Sequence, residues 1–241
     1  MASELDKNAA QMAASGVVDR LRDHVATAGL KVPEEVLQQL TAYVDLLEHW
    51  NRRMNLTRLR QDDPGLDRLV VEPLVAAARV PEDARSMIDI GAGGGAPAVP
   101  MKLARPELTL RLMESRAKKA AFLQEVIRRV RLQEPRVETG RYEALSQQLE
   151  LGGGADVVTV RAVRLTESGL AALRLRVAEG GRLFLFEGPG AGSEEGTGMQ
   201  GFRLLESYPL VDSLGSRLMV WQRETQRDGS FHRPVSRGPR P

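Results

Sequence analysis

The chain has 241 residues, 42% of them apolar, which suffices for one large domain with an appendage or for two small ones. It has no cysteine and three scattered histidines, His24, His49 and His232, so disulfides and thiolate chemistry are excluded and no metal-ligand spacing exists. Net charge is +2 with a pI of about 9.1. No apolar run approaches a membrane span and the N-terminus is polar with acids in it, so a cytoplasmic protein without membrane or metal is expected.

Residues 1–80 are expected to form an N-terminal helical region. Its clearest part is Pro33 to Met54, where Val36, Leu37, Leu40, Tyr43, Val44, Leu47 and Trp50 recur at helical spacing. Pro33 suits a first turn, and Glu34 and Glu35 suit the positive end of the helix dipole. The aromatic members are expected in the core. Leu66 to Val80 reads as a second amphipathic helix, and Ala9 to Ala28 as another.

Residues 81–222 alternate apolar strands with helical stretches, which predicts an α/β fold whose mostly parallel sheet is covered on both faces. The strands are expected at Met87–Ile90, Leu108–Met113, Arg136–Thr139, Asp156–Val160, Arg182–Glu187, Phe202–Tyr208 and Arg217–Trp221. Ala117 to Arg131 should be helical, with Ser115 as its cap. Gly152 to Gly154 and Gly188 to Gly201 read as flexible breaks. Residues 223–241 hold Arg223, Arg227, Arg233, Arg237 and Arg240 among glycines and prolines. That composition predicts a basic, disordered tail, suited to phosphate backbones or serving only solubility.

The first strand runs into Gly91-Ala92-Gly93-Gly94-Gly95-Ala96-Pro97. Glycine reaches positive φ cheaply and admits a ligand against bare backbone, so free N–H groups beside a nucleotide-like ligand are expected; a plain turn is the alternative. Gly91, Gly93 and Ala96 satisfy the dinucleotide spacing, which keeps a nicotinamide oxidoreductase in play. Asp89 at the strand's end favours S-adenosylmethionine, as do Pro97 and Pro100, which delay the helix to around Pro97 to Lys102. Glu114 at the tip of the second strand can accept both hydroxyls of a ribose, or be a solvated acid. Tyr142 and Glu143 after the third strand suit an adenine, or begin an ordinary helix. Arg161 after the fourth strand must find an anion or carbonyl, as ligand contact or structural salt bridge.

These residues together resemble the bacterial small-subunit ribosomal RNA methyltransferase G family, also called the glucose-inhibited division protein B family. The likeness covers about Gln38 to Trp221 and is carried by Ala42-Tyr43-Val44, Trp50-Asn51, Asn55-Leu56-Thr57, Ile88 to Gly93, Arg105-Pro106-Glu107-Leu108, Gly140-Arg141-Tyr142-Glu143 and Arg161-Ala162-Val163. The resemblance implies a Rossmann-like, seven-stranded S-adenosylmethionine-dependent methyltransferase fold that methylates N7 of a guanine in 16S ribosomal RNA. Naked 16S RNA and the small subunit are equally consistent partners. By motif position, Gly91, Gly93 and Ala96 line the cofactor site, Tyr142 and Glu143 meet the adenine, and Arg161 closes the pocket. Guanine N7 carries a lone pair and no proton, so no catalytic acid or base is expected. RNA contacts are expected around Arg52, Arg53, Arg58 and Arg60.

Three positions depart from the family pattern. Leu69-Val70-Val71-Glu72-Pro73 stands for the usual His-Phe-Leu-Asp-Ser, Ala98 replaces a glycine, and Glu187-Gly188 replaces Lys-Gly. These leave room for a non-catalytic RNA-binding member of the same fold.

Overall fold

A computed structural model of the chain describes residues 4–54, 56–57, 62–145, 154–163, 165–190 and 199–225. Arg58, Arg60, the triple glycine up to Gly153, most of the Gly188–Gly201 break and the tail from residue 226 lie outside the described residues.

Two helices open the chain, α1 (Glu4–Thr27) and α2 (Glu34–Met54). α2 buries Leu37, Leu40, Tyr43, Val44 and Leu47, the stripe that a 3.6-residue period predicts. Trp50 meets Phe122 edge to face with centroids 5.6 Å apart, so this aromatic is a packing residue.

The segment Leu66 to Val80 is not one helix. It divides into α3 (Asp63–Leu66), a π-helical turn at Asp67–Val71 and α4 (Glu72–Ala77). Pro73 is the physical reason, since it brings no N–H to the ladder. The Glu72 N–H reaches back five residues to the Asp67 carbonyl. The Arg68 carbonyl therefore receives neither the Glu72 N–H nor one from Pro73.

The sheet comprises β1 (Ser86–Ile90), β2 (Thr109–Glu114), β3 (Pro135–Thr139), β4 (Ala155–Arg161), β5 (Val177–Glu187), β6 (Phe202–Pro209) and β7 (Arg217–Arg223). Its order is β3-β2-β1-β4-β5-β7-β6. The first five strands pair in parallel, and β7 runs antiparallel between β5 and β6. The expected strands are all present, each within a residue or two at its ends except β5. That strand begins five residues early, through Gly180 at φ +73° and an irregular register against β4.

Between the strands lie α5 (Ala98–Ala104), α6 (Ala117–Arg129), α7 (Tyr142–Leu145) and α8 (Glu167–Arg176). Ser115 does not cap α6: the N-cap is Arg116, and the Ser115 hydroxyl instead leans on Glu114 at 3.4 Å. One core joins Leu40, Tyr43 and Val44 of α2 to Met87, Met101, Phe122 and Phe184 on one face of the sheet. The other face packs Ile88, Ile90, Val158, Val160, Leu173 and Trp221. Among the described residues, no helix is long and apolar enough to cross a membrane.

Candidate functional site

Strand order reverses between β1 and β4, and in open parallel sheets the crevice for a ligand lies beyond the carboxyl ends at such a switch. A cavity of about 640 Å³ lies at this point. Gly91 to Gly94 and Ala96 from the bend after β1 line it, with Arg161 to Val163 at the end of β4 and Phe186 to Gly188 at the end of β5. Leu69 and Glu72 close the side facing the helical region.

The bend is built from backbone. Gly91, Gly93 and Gly95 have φ of +72°, +52° and +91°, where a Cβ is strained. A Cβ on Gly91 would also fall 2.7 Å from Val163 Cγ2. The expectation of free N–H groups is corrected in part, since the donors of Gly91, Ala92, Gly93 and Gly95 are engaged within the protein. Gly91 and Ala92 both donate to the Met113 carbonyl, at 2.9 and 3.0 Å. Gly93 donates to Glu114 Oε2 at 2.8 Å, and Gly95 to the Ala92 carbonyl at 2.7 Å. Val99 returns its N–H to Gly95 at 2.7 Å, while Pro97 and Pro100 have none to offer. The parallel register of β1 on β2 causes this, because it ends with the Met113 carbonyl directly under the bend. Tyr43 Oη then donates to the Gly94 carbonyl at 2.7 Å from the opposite side.

Glu114 braces the same structure. It is 5% exposed, its Oε2 holds Gly93 and its Oε1 accepts the Arg116 N–H at 2.8 Å. Oε1 also meets the Ser115 hydroxyl at 3.4 Å, so Oε2 is the oxygen that retains a second lone pair. Asp89, also buried, accepts from Thr159 Oγ1 at 2.6 Å through Oδ1, and its Oδ2 has no partner among the described residues. Burial pushes this carboxyl up to about 7, against the lowering effects of Thr159 and Arg161.

Arg161 finds both kinds of partner expected of it. Nη1 donates to the Arg68 carbonyl at 2.6 Å, the acceptor that the π-turn and Pro73 leave unspent. Nη2 donates to Glu72 Oε2. Its guanidinium also stands 5.4 Å from the Phe186 ring centroid. The acid of the family's altered segment is thus the counter-ion of Arg161. Leu69, at the histidine's position, is buried in the core and lines the cavity. Glu187 lines it too, and Ala98 is fully buried in α5.

Tyr142 and Glu143 stand apart from this group. Both follow β3, and neither lines the cavity. Tyr142 packs in the second core against Gly169, where a Cβ would fall 2.4 Å from its hydroxyl. Burial, and then the neighbouring Glu143 carboxylate, raises its phenol above the ordinary value. Glu143 is exposed.

Sequence reasoning did not single out Arg68, Arg116, Lys119 or Glu72 for the site, though all four line the cavity. The Trp50-Asn51 element was its best pointer: Asn51 Oδ1 accepts the Thr57 N–H at 2.9 Å, and Leu56 and Thr57 line the cavity. Among the described residues, no group of three or more histidine, aspartate or glutamate side chains could hold a metal ion.

Comparison with known proteins agrees with this architecture. The family model "rRNA small subunit methyltransferase G" matches residues 36–200. A ribosomal RNA small subunit methyltransferase G from Neisseria meningitidis is 38% identical over 144 residues, 60% of this chain and 67% of that protein. One from Syntrophotalea carbinolica is 32% identical over 176 residues, 73% of this chain and 80% of that protein. In fold, a point mutant of MtNAS in complex with S-adenosylmethionine superposes with a TM-score of 0.52 at 12% identity, over 79% of this chain and 75% of that one. The mitomycin 7-O-methyltransferase MmcR superposes with a TM-score of 0.51 at 19% identity, over 78% and 67%. The sheet is that of the S-adenosylmethionine-dependent methyltransferases, and S-adenosylmethionine is the cofactor that the family match supports. The chain belongs to the rRNA small subunit methyltransferase G family.

Proposed function

We propose that this chain transfers the methyl group of S-adenosylmethionine to N7 of a guanine in 16S ribosomal RNA. The cofactor supplies an electrophilic methyl on a sulfonium. The observation that carries the cofactor half of the reading is the bend with most of its donors engaged within the protein. A pyrophosphate needs a row of free N–H groups at a helix start. Here those of Gly91, Ala92, Gly93, Gly95 and Val99 are engaged, and two prolines crowd the turn. What remains is a bare, closely approachable surface, suited to a nucleoside without phosphate. This weighs against a nicotinamide dinucleotide.

On this reading, Gly91, Gly93 and Ala96 receive the cofactor, and Glu114, chiefly through Oε2, takes the ribose. Tyr142 and Glu143 meet the adenine where it extends past β2. Arg161 orients the reacting partners at the end of β4. Guanine N7 presents a lone pair and no proton, so the protein contributes alignment and electrostatics rather than a base. Arg68, Arg116 and Lys119 around the cavity, with exposed Arg53 on α2, provide cations for phosphates. The substrate is RNA of the small subunit, in the cytoplasm.

The test is transfer of a tritiated methyl from S-adenosylmethionine to 16S RNA, or to small subunits, followed by nucleoside analysis. Label in 7-methylguanosine is expected. Label in another nucleoside, or RNA binding without label, would overturn the proposal.

A further inference from the structure

Glu72 holds an unused acceptor. Its side chain is fully buried, it forms part of the cavity wall, and only Oε2 is engaged, by Arg161. Oε1 has no hydrogen-bond partner among the described residues. A buried carboxylate oxygen without a donor is costly, so one in a cavity wall calls for a partner from outside the chain. The group is also held firmly, because Arg161 is itself fixed by the Arg68 carbonyl at 2.6 Å.

The charge around the cavity says what kind of donor fits. Arg68, Arg116, Lys119 and Arg161 line it against Glu72 and Glu187. The surplus is positive, which disfavours a second ammonium at Oε1 and favours a neutral N–H on a molecule that carries phosphates. Guanine has such donors, N1–H and the N2 amine, on one edge, and leaves N7 clear on another. Adenine places an acceptor at N1 and would meet the carboxylate with like polarity.

We propose that Glu72 selects the target base: Oε1 accepts a hydrogen bond from the N1–H or N2–H edge of the guanine, while Arg161 pins the carboxylate through Oε2. The inference rests on the N7-methylation reading above and names the specificity residue of that same site.

The test uses 16S RNA carrying guanosine, inosine (no N2 amine) or 2-aminopurine riboside (no N1–H) at the labelled nucleotide. With the unaltered protein, at least one analogue is expected to lower kcat/KM by about tenfold or more. In Glu72→Gln, guanosine transfer is expected to fall by about as much. The preference for guanosine over that analogue should shrink to roughly twofold, with S-adenosylmethionine affinity unchanged within about twofold. Equal use of all three bases by the unaltered protein overturns the proposal, and this arm stands even where the variant does not fold. An unchanged preference in Glu72→Gln overturns it too. Cofactor affinity falling in step with transfer would place the cofactor's ammonium on Glu72 instead. Failure of the unaltered protein to methylate guanosine at all removes the N7 reading, and this inference with it.

Discussion

The two walls of the cavity are built on opposite principles. At the carboxyl ends of β1 and β2, the hydrogen-bonding groups of the bend are largely spent within the protein: Met113, Glu114, Ala92 and Tyr43 engage its backbone. At the end of β4, a buried ion pair is held by one backbone carbonyl and keeps an oxygen in reserve. The first wall offers shape, through absent side chains. The second offers charge, and its parts depend on one another. A change to the first should therefore act on cofactor affinity, and a change to the second on stability and base choice.

Arg161→Ala tests the second wall most severely. It leaves Glu72 buried without its counter-ion, a loss of about 3–5 kcal/mol for a broken buried pair. Thermal or denaturant unfolding should show it. A change under about 1 kcal/mol would mean that water, rather than Arg161, solvates this carboxylate.

Gly91→Val should act on the first wall. The new Cβ would lie 2.7 Å from Val163 at a φ of +72° and would fill the surface offered to the cofactor. Calorimetry should show affinity for S-adenosylmethionine falling by about a hundredfold or more, roughly 3 kcal/mol. Binding that survives would remove the cofactor from the bend.

Asp89 lies beneath the junction of the walls and predicts a pH dependence. Its folded value near 7 exceeds the ordinary 3.8, so the folded chain holds a proton that the unfolded chain has released. Its contribution is greatest below the ordinary value and is lost as pH rises through about 7. The slope reaches up to about 1.4 kcal/mol per pH unit. Asp89→Asn should flatten the melting temperature across that window; an unchanged profile would assign the slope to other groups.

Tyr43→Phe is the mildest test. It removes the hydroxyl that donates to Gly94 and leaves the buried ring in place, so about 1 kcal/mol of stability should be lost. An effect on base choice would show that the walls are coupled.

The two walls also differed in how legible they were. The glycines, Glu114 and the strands feeding them could be found because apolar runs and a glycine cluster are local signals. What the bend's N–H groups do could not, since those of Gly91 and Ala92 meet the Met113 carbonyl, placed by the parallel register of β1 on β2. Arg161 was found at a strand end, and its need for an anion followed from burial. Its partner was harder to see: an acid inside an amphipathic stretch reads as part of a solvated face, yet Glu72 is fully buried. The π-turn that frees the Arg68 carbonyl depends on Pro73 meeting a ladder already shifted to five-residue spacing. Tyr142 and Glu143 carry a motif whose position is clear, while the packing of Tyr142 on Gly169 is a tertiary fact.

A crystal structure with S-adenosylhomocysteine bound tests the central claim most directly. The account predicts the nucleoside against Gly91 to Ala96, its sugar hydroxyls on Glu114 and its sulfur facing the space beside Arg161 and Glu72. A nucleoside bound elsewhere, or a bend closed over by side chains, would contradict it.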